Sequence, residues 1–321
     1  MVRRLVVTAA IVLSGWASAL AGTPSGSASH PLAVIDAHIQ TNFDHTIDAT
    51  SNVMFSKAEL ATEMKGYSVV GAVSFNRPGA PYADLSDLNV VQCVGLPEKV
   101  DADKLDADLA PGRYRCLTIY LEPDRPYASD PNYEPAYRLA GKYHVPVVFQ
   151  TVLGENPMIL PKSADPLTIE DVAVRYPKVT FVVAHAGNPG TADQRDRSAW
   201  MLTHSKAANI WQFGDDPWLA PAAAVTRKNP NVVLDGSAFL VGDLLKASPA
   251  QIETYLGKRV NWFFNYLGDP SKMMFGSAWP KVEMGPYLEL FKRAIPKEHW
   301  QAVFHDNAAR VYGFATRPAA Q

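Results

Sequence analysis

Histidine, glutamine and aspartate recur in this chain near the ends of short apolar runs, where a sheet would gather them. In "IDAHIQ", Ile35 to Gln40, His38 and Gln40 stand two residues apart, so on a strand they share a face. His185 lies in "VTFVVAHA", Gln150 in "VPVVFQTV" and Asp235 in "NVVLDGSA". Imidazoles bind divalent ions or move protons near neutral pH, and a carboxylate serves as a general base. Each residue also has a plainer reading. A lone histidine on an apolar strand is more often a hydrogen-bonded core residue, and the glutamines can satisfy neighbouring backbone groups. Asp36 and Asp235 can be structural carboxylates, which must be paired when buried. His45, in "TNFDHT", is either a substitute ligand or an exposed loop residue. Arg77, Asn188 and Trp279 follow strand ends, where an arginine pairs with a substrate carboxylate or makes a surface salt bridge.

Eight runs rich in Val, Ile, Phe and Leu are expected to position these groups as strands: 33–40, 69–76, 90–97, 114–121, 145–152, 179–186, 231–238 and 272–279. Those without polar alternation are buried on both faces. Helical spacing fills most of the connections. "SKAELATEMKGY" opens on a Ser56/Glu59 capping box, and "PNYEPAYRLAGKYH", "TIEDVAVRYP", "SPAQIETYLGKRVNWFF" and "MGPYLELFKRAI" carry apolar residues at helical intervals. The connections around "PYADLSD" and "DADKLDADLA" are read as short and irregular. Strand and helix alternating eight times define an α/β protein of the (β/α)8 TIM-barrel class, with its site at the C-terminal strand ends. No glycine-rich dinucleotide turn follows the first strand, which counts against a Rossmann fold.

Phrases on those strands resemble the amidohydrolase superfamily, in its amidohydrolase-related branch of barrel hydrolases and decarboxylases. "IDAHIQ" is similar to an opening "IDxHxH", "RYPKVTFVVAHAGNP" to "RFPxxxFxxAHxGxP", and "DPSKMMFGSAWP" to "xPxRxxFGSDWP". "DNAARVYGF" is similar to "xNAxRLxGL", and "LAGKYHVPVVFQTV" to "LAxxxxxPVxxHTG". The ordered set runs from Ile35 to Phe314. The resemblance implies a metal at the barrel mouth, held by two histidines of the first strand, one each of the fifth and sixth, and an aspartate of the eighth that also acts as base. His38 and His185 match two ligands. Gln40, Gln150 and Ala278 stand at three lost ligand positions, and Thr118 lies near a fourth-strand position that is a bridging residue in some members. Two histidines fall short of the three protein ligands of a catalytic zinc. The ordinary metal-hydroxide mechanism is therefore not expected, and no cofactor is expected; zinc or manganese is the ion for His38 and His185 should one be bound.

The implied function is hydrolysis of a small ester, lactone or amide, or decarboxylation. His185 and His38 would be catalytic, and Gln40, Gln150, Asn188, Arg77, Trp279 and Asp235 would bind substrate. The alternative is a catalytically inactive small-molecule binding protein on the same fold. The partner is a small molecule, and a homodimer is implied by resemblance alone.

The N-terminus reads as a secretory signal peptide, residues 1–21: Arg3 and Arg4, an apolar run from Leu5 to Trp16, and the small-residue site "ALAG". The run is shorter than a membrane span. An exported chain, periplasmic or secreted, is expected, with residues 22–321 as one domain and no membrane attachment after cleavage. A formal charge of -2 with no basic stripe gives no footprint for nucleic acid. Cys93 and Cys116 are the two cysteines of the 321-residue chain. An oxidising compartment permits a disulfide, and two buried thiols are the equal alternative.

Overall fold

The computed structural model describes residues 32–40, 56–121, 126–151, 165–187, 219–237, 250, 257–280 and 282–315. The expected signal peptide, His45, Asn188 and the connection 188–218 lie outside them.

Eight strands appear where the apolar runs stand: β1 Val34–Ile39, β2 Val69–Pro78, β3 Val90–Gly95, β4 Tyr114–Leu121, β5 Val147–Thr151, β6 Phe181–Val183, β7 Val232–Asp235 and β8 Met273–Met274. They are parallel and lie in sequence order. β8 returns to β1 through a parallel bridge from Ile39 to Trp279 and backbone bonds from Ala37 to Phe275, Ala278 to His38 and Gln40 to Trp279. This is the (β/α)8 barrel.

Side-chain alternation divides the core in two. One residue set, including Ile35, Val73, Cys93, Cys116, Val148, Val182, Val233 and Met274, packs with Ala308, Tyr312 and Phe314 of the C-terminal segment. This set fills the barrel interior. The alternate set, such as Leu117, Ile119, Phe149, Phe181 and Leu234, packs with helix residues in the surrounding layer. Cys93 and Cys116 are register partners on β3 and β4, fully buried, 4.3 Å apart at Cα and joined by a disulfide. That resolves the choice between bond and thiols.

The helix α1, Lys57–Gly66, begins with the expected capping box: Ser56 N donates to Glu59 Oε2 (2.7 Å), and Glu59 N to Ser56 Oγ (3.2 Å). The connection "DADKLDADLA" is a correction, since it forms the helix α2, Ala102–Leu109. Asp101 accepts from Lys104 N at 3.1 Å, and Leu105 and Leu109, four apart, bury one face. The other connection read as irregular holds only the short 3-10 turn Ser86–Leu88. α3 Glu134–Tyr143 and α7 Met284–Ala294 lie within segments read as helical, while α4 Leu167–Arg175 starts one residue before its segment and α6 Lys258–Leu267 runs three residues past the end of its own. α5, Leu219–Lys228, lies at the end of the connection before β7; its "APAAAV" core lacks the large apolar residues that reveal a helical period. A π-helical turn, Ala302–Asp306, leads into α8, Asn307–Tyr312.

Candidate active site at the barrel mouth

Four strand ends bring five polar side chains together. β1 supplies His38, β5 Gln150 and β7 Asp235; Ser237 follows β7, and His185 follows β6 in the 3-10 turn Ala184–Gly187. His38, Gln150, Asp235 and Ser237 are fully buried, and His185 is 6% exposed. His185 has φ +57°. β6 ends at Val183, two residues earlier, and the imidazole meets Gln150 of β5 and Ser237 after β7.

The contacts form a circuit. His38 Nδ1 lies 2.7 Å from Asp235 Oδ2, and His38 Nε2 lies 3.5 Å from Gln150 Nε2. Gln150 Oε1 lies 3.2 Å from His185 Nε2, whose Nδ1 lies 3.0 Å from Ser237 Oγ. Ser237 N donates to Asp235 Oδ1 at 2.7 Å and closes it. The two imidazole centroids are 4.6 Å apart. Burial pushes the Asp235 carboxyl up, but attraction and hydrogen bonding from His38, with His185 and Ser237, outweigh it and hold it below its ordinary value. Asp235 is therefore the anion of the site.

Asp36 supports this arrangement from beneath. Its Oδ1 accepts from His38 N (3.0 Å) and Ser277 N (2.9 Å), tying β1 to the segment after β8. Its Oδ2 has no hydrogen-bond partner among the described residues. Burial pushes the carboxyl up to about 6, against the bonds from Ser277 and His38.

The remaining expected residues are more dispersed. Gln40 is half-buried beyond His38, with its backbone bonded to Trp279 O. Arg77 is exposed at the end of β2, its guanidinium 4.7 Å from the Tyr120 ring centroid. Asn76 turns toward Gln92 Oε1 at 3.4 Å. Trp279 is 3% exposed and packs in the layer outside the barrel. Ala278, at the lost aspartate position, has φ +67° and donates its N–H to His38 O. Thr118 is fully buried, and its hydroxyl has no partner among the described residues.

Sequence reasoning missed Ser237 and Gly276. The spacing Asp-x-Ser was a usable signal, because it puts Ser237 on the face of Asp235. At Gly276 a Cβ would lie 2.8 Å from Asp235 Oδ1 and 2.8 Å from His38 Cβ. Glycine there leaves the room in which the two side chains meet.

A parallel eight-stranded barrel with its histidines and carboxylate at the C-terminal strand ends defines a TIM-barrel protein whose polar cluster lies where active sites of this fold are placed. The chain belongs to the amidohydrolase family, whose sequence profile matches residues 90–314. Similar solved structures include a Pseudomonas putida protein provisionally assigned as 2-pyrone-4,6-dicarboxylic acid hydrolase (17% identity, TM-score 0.61, covering 89% of this chain and 99% of that one). A 5-carboxyvanillate decarboxylase from Sphingomonas paucimobilis matches at 16% identity and TM-score 0.57, over 88% and 100% of the two chains. An amidohydrolase from Burkholderia multivorans with bound zinc matches at 15% and 0.59, over 88% and 99%. At such identities the likeness carries the fold alone. A search of curated proteins gives no match.

The zinc of the Burkholderia structure sets a test for this site. Among the described residues, no group of three or more His, Cys, Asp or Glu side chains is placed to hold a metal ion. Both Asp235 oxygens are engaged, by His38 and Ser237. Among the described residues, what remains is two imidazoles and a carboxamide, which is not the three-ligand set of a catalytic zinc.

Proposed function

We propose that this chain is an exported hydrolase of small esters, lactones or amides that works without the family's metal. The observation that carries the reading is the buried contact of 2.7 Å between His38 Nδ1 and Asp235 Oδ2. An imidazole held by a carboxylate at one nitrogen is fixed in one tautomer and stabilised when its other nitrogen takes a proton. Among the described residues, His38 Nε2 has only the long contact to Gln150, so it is the nitrogen that accepts a proton from an attacking water. The water oxygen bonds to the substrate carbonyl carbon, the acyl C–O or C–N bond breaks as the tetrahedral adduct collapses, and the proton passes from His38 to the departing oxygen or nitrogen. Gln40 and Arg77 orient the substrate at the rim, Arg77 through a carboxylate.

The experiment is hydrolysis of a panel of small carboxylated esters, lactones and amides by the chain from Gly22, before and after chelator treatment. Turnover should survive chelation and fall at least about a hundredfold in His38→Ala. Turnover abolished by chelator and restored by zinc would overturn it. A second reading, an inactive binding protein, is favoured by one observation: all four ring nitrogens of His38 and His185 have side-chain partners. A ligand that raises the melting temperature, with no turnover across the panel, would select it.

A further inference from the structure

Both histidines carry the outer partners of metal-bound histidines. Asp235 holds Nδ1 of His38 at 2.7 Å, and Ser237 holds Nδ1 of His185 at 3.0 Å; partners of this kind orient metal-ligating imidazoles. Both Nε2 atoms then face one group, the Gln150 carboxamide, at 3.5 and 3.2 Å. We infer that this carboxamide stands between the two Nε2 atoms in the place of a metal ion and holds His38 and His185 in opposite tautomers.

The proton positions follow from Asp235. A carboxylate only accepts, so His38 carries its proton on Nδ1 and leaves Nε2 bare. A bare nitrogen needs a donor, which the Gln150 amide group supplies. That turns Gln150 Oε1 to His185 Nε2, which must carry a proton, leaving its Nδ1 to accept from the Ser237 hydroxyl. A metal ion requires both Nε2 atoms bare. The circuit protonates one of them, so circuit and metal exclude each other.

Residue 150 therefore decides the chemistry of the mouth. Gln150→His would complete a three-histidine set and Gln150→Glu a two-histidine, one-carboxylate set, both used by catalytic zinc. The inference rests on the metal-free part of the proposed function, and the assay separates the two. Wild type, both variants and each variant combined with His38→Ala are equilibrated with zinc, desalted and analysed for bound metal, with circular dichroism as the check on folding. Wild type should retain under about a tenth of an equivalent and either folded variant about one, lost with His38→Ala. Imidazole 15N spectra of wild type should show a bare Nε2 on His38 and a protonated Nε2 on His185. One equivalent of zinc in wild type would overturn both the inference and the metal-free reading. Folded variants that stay empty, or the same tautomer in both histidines, would overturn the inference alone.

Discussion

Gly276 and Asp36 mark the two ways in which a single atom governs the mouth. At Gly276 a methyl group would meet Asp235 Oδ1 and His38 Cβ at 2.8 Å each, and neither buried group has room to retreat. Gly276→Ala should cost about 1–3 kcal/mol by overpacking, read as a lower urea midpoint, together with any hydrolytic activity. An unchanged midpoint would mean that the barrel mouth relaxes more than its packing indicates. Asp36 acts through its proton. Its folded value of about 6 lies above the ordinary 3.8, so between these values the native state keeps a proton that the unfolded chain releases. Stability from this group is full at the acid end and falls as pH rises from about 4 to 6, by on the order of 3 kcal/mol. Asp235 has the opposite sign: held below its ordinary value, it adds stability that is lost as pH falls below that value. The two windows do not overlap. Asp36→Asn keeps an acceptor for His38 N and Ser277 N, so urea unfolding across this range should show the decline in wild type and not in the variant.

The elements end where the site needs them to. The runs "VTFVVAHA" and "KMMFGSAW" read as strands reaching the mouth, yet β6 stops at Val183 and β8 at Met274. Their apolar composition is local information and was legible; the early strand ends were not, and past them His185 (φ +57°) and Ala278 (φ +67°) take left-handed backbone. Left-handed backbone at residues other than glycine is the sort of strain that clusters at functional sites. It also gives a test that separates backbone from side chain. His185→Asn and His185→Val both remove the imidazole, but asparagine tolerates the left-handed region and a β-branched residue does not. The valine variant should be less stable than the asparagine variant by about 1 kcal/mol or more, measured by chemical denaturation. Equal stabilities would place the strain elsewhere. The helix α2 was misread for a different reason: its three aspartates suggest a solvated loop, and only the Leu105–Leu109 spacing, with Asp101 before it, records the buried face.

Across the whole molecule, what the sequence made legible was the order of strands and the residues at their ends, because apolar runs and their boundaries are contained in a few consecutive residues. Which of those residues touch was not legible. His38 and Asp235 are 197 residues apart in sequence and meet only because β8 closes on β1 beside β7. The disulfide is the same case, since it depends on the register that sets Cys93 against Cys116. That register also bears on when the bond can form. Both cysteines are fully buried inside the barrel, so an oxidant reaches them only before the barrel closes. The bond must then form during folding, and the export proposed for this chain would supply the oxidising compartment. It links residues 23 apart, and closing a loop of that length contributes about 3 kcal/mol. Chain made without the leader in a reducing cytoplasm should therefore carry two cysteines that alkylate after denaturation, and unfold with about 3 kcal/mol less stability than chain made with the leader and recovered from the periplasm. A complete disulfide in the cytoplasmic material would mean that the bond forms after folding, through an opening of the barrel that its packed interior does not suggest.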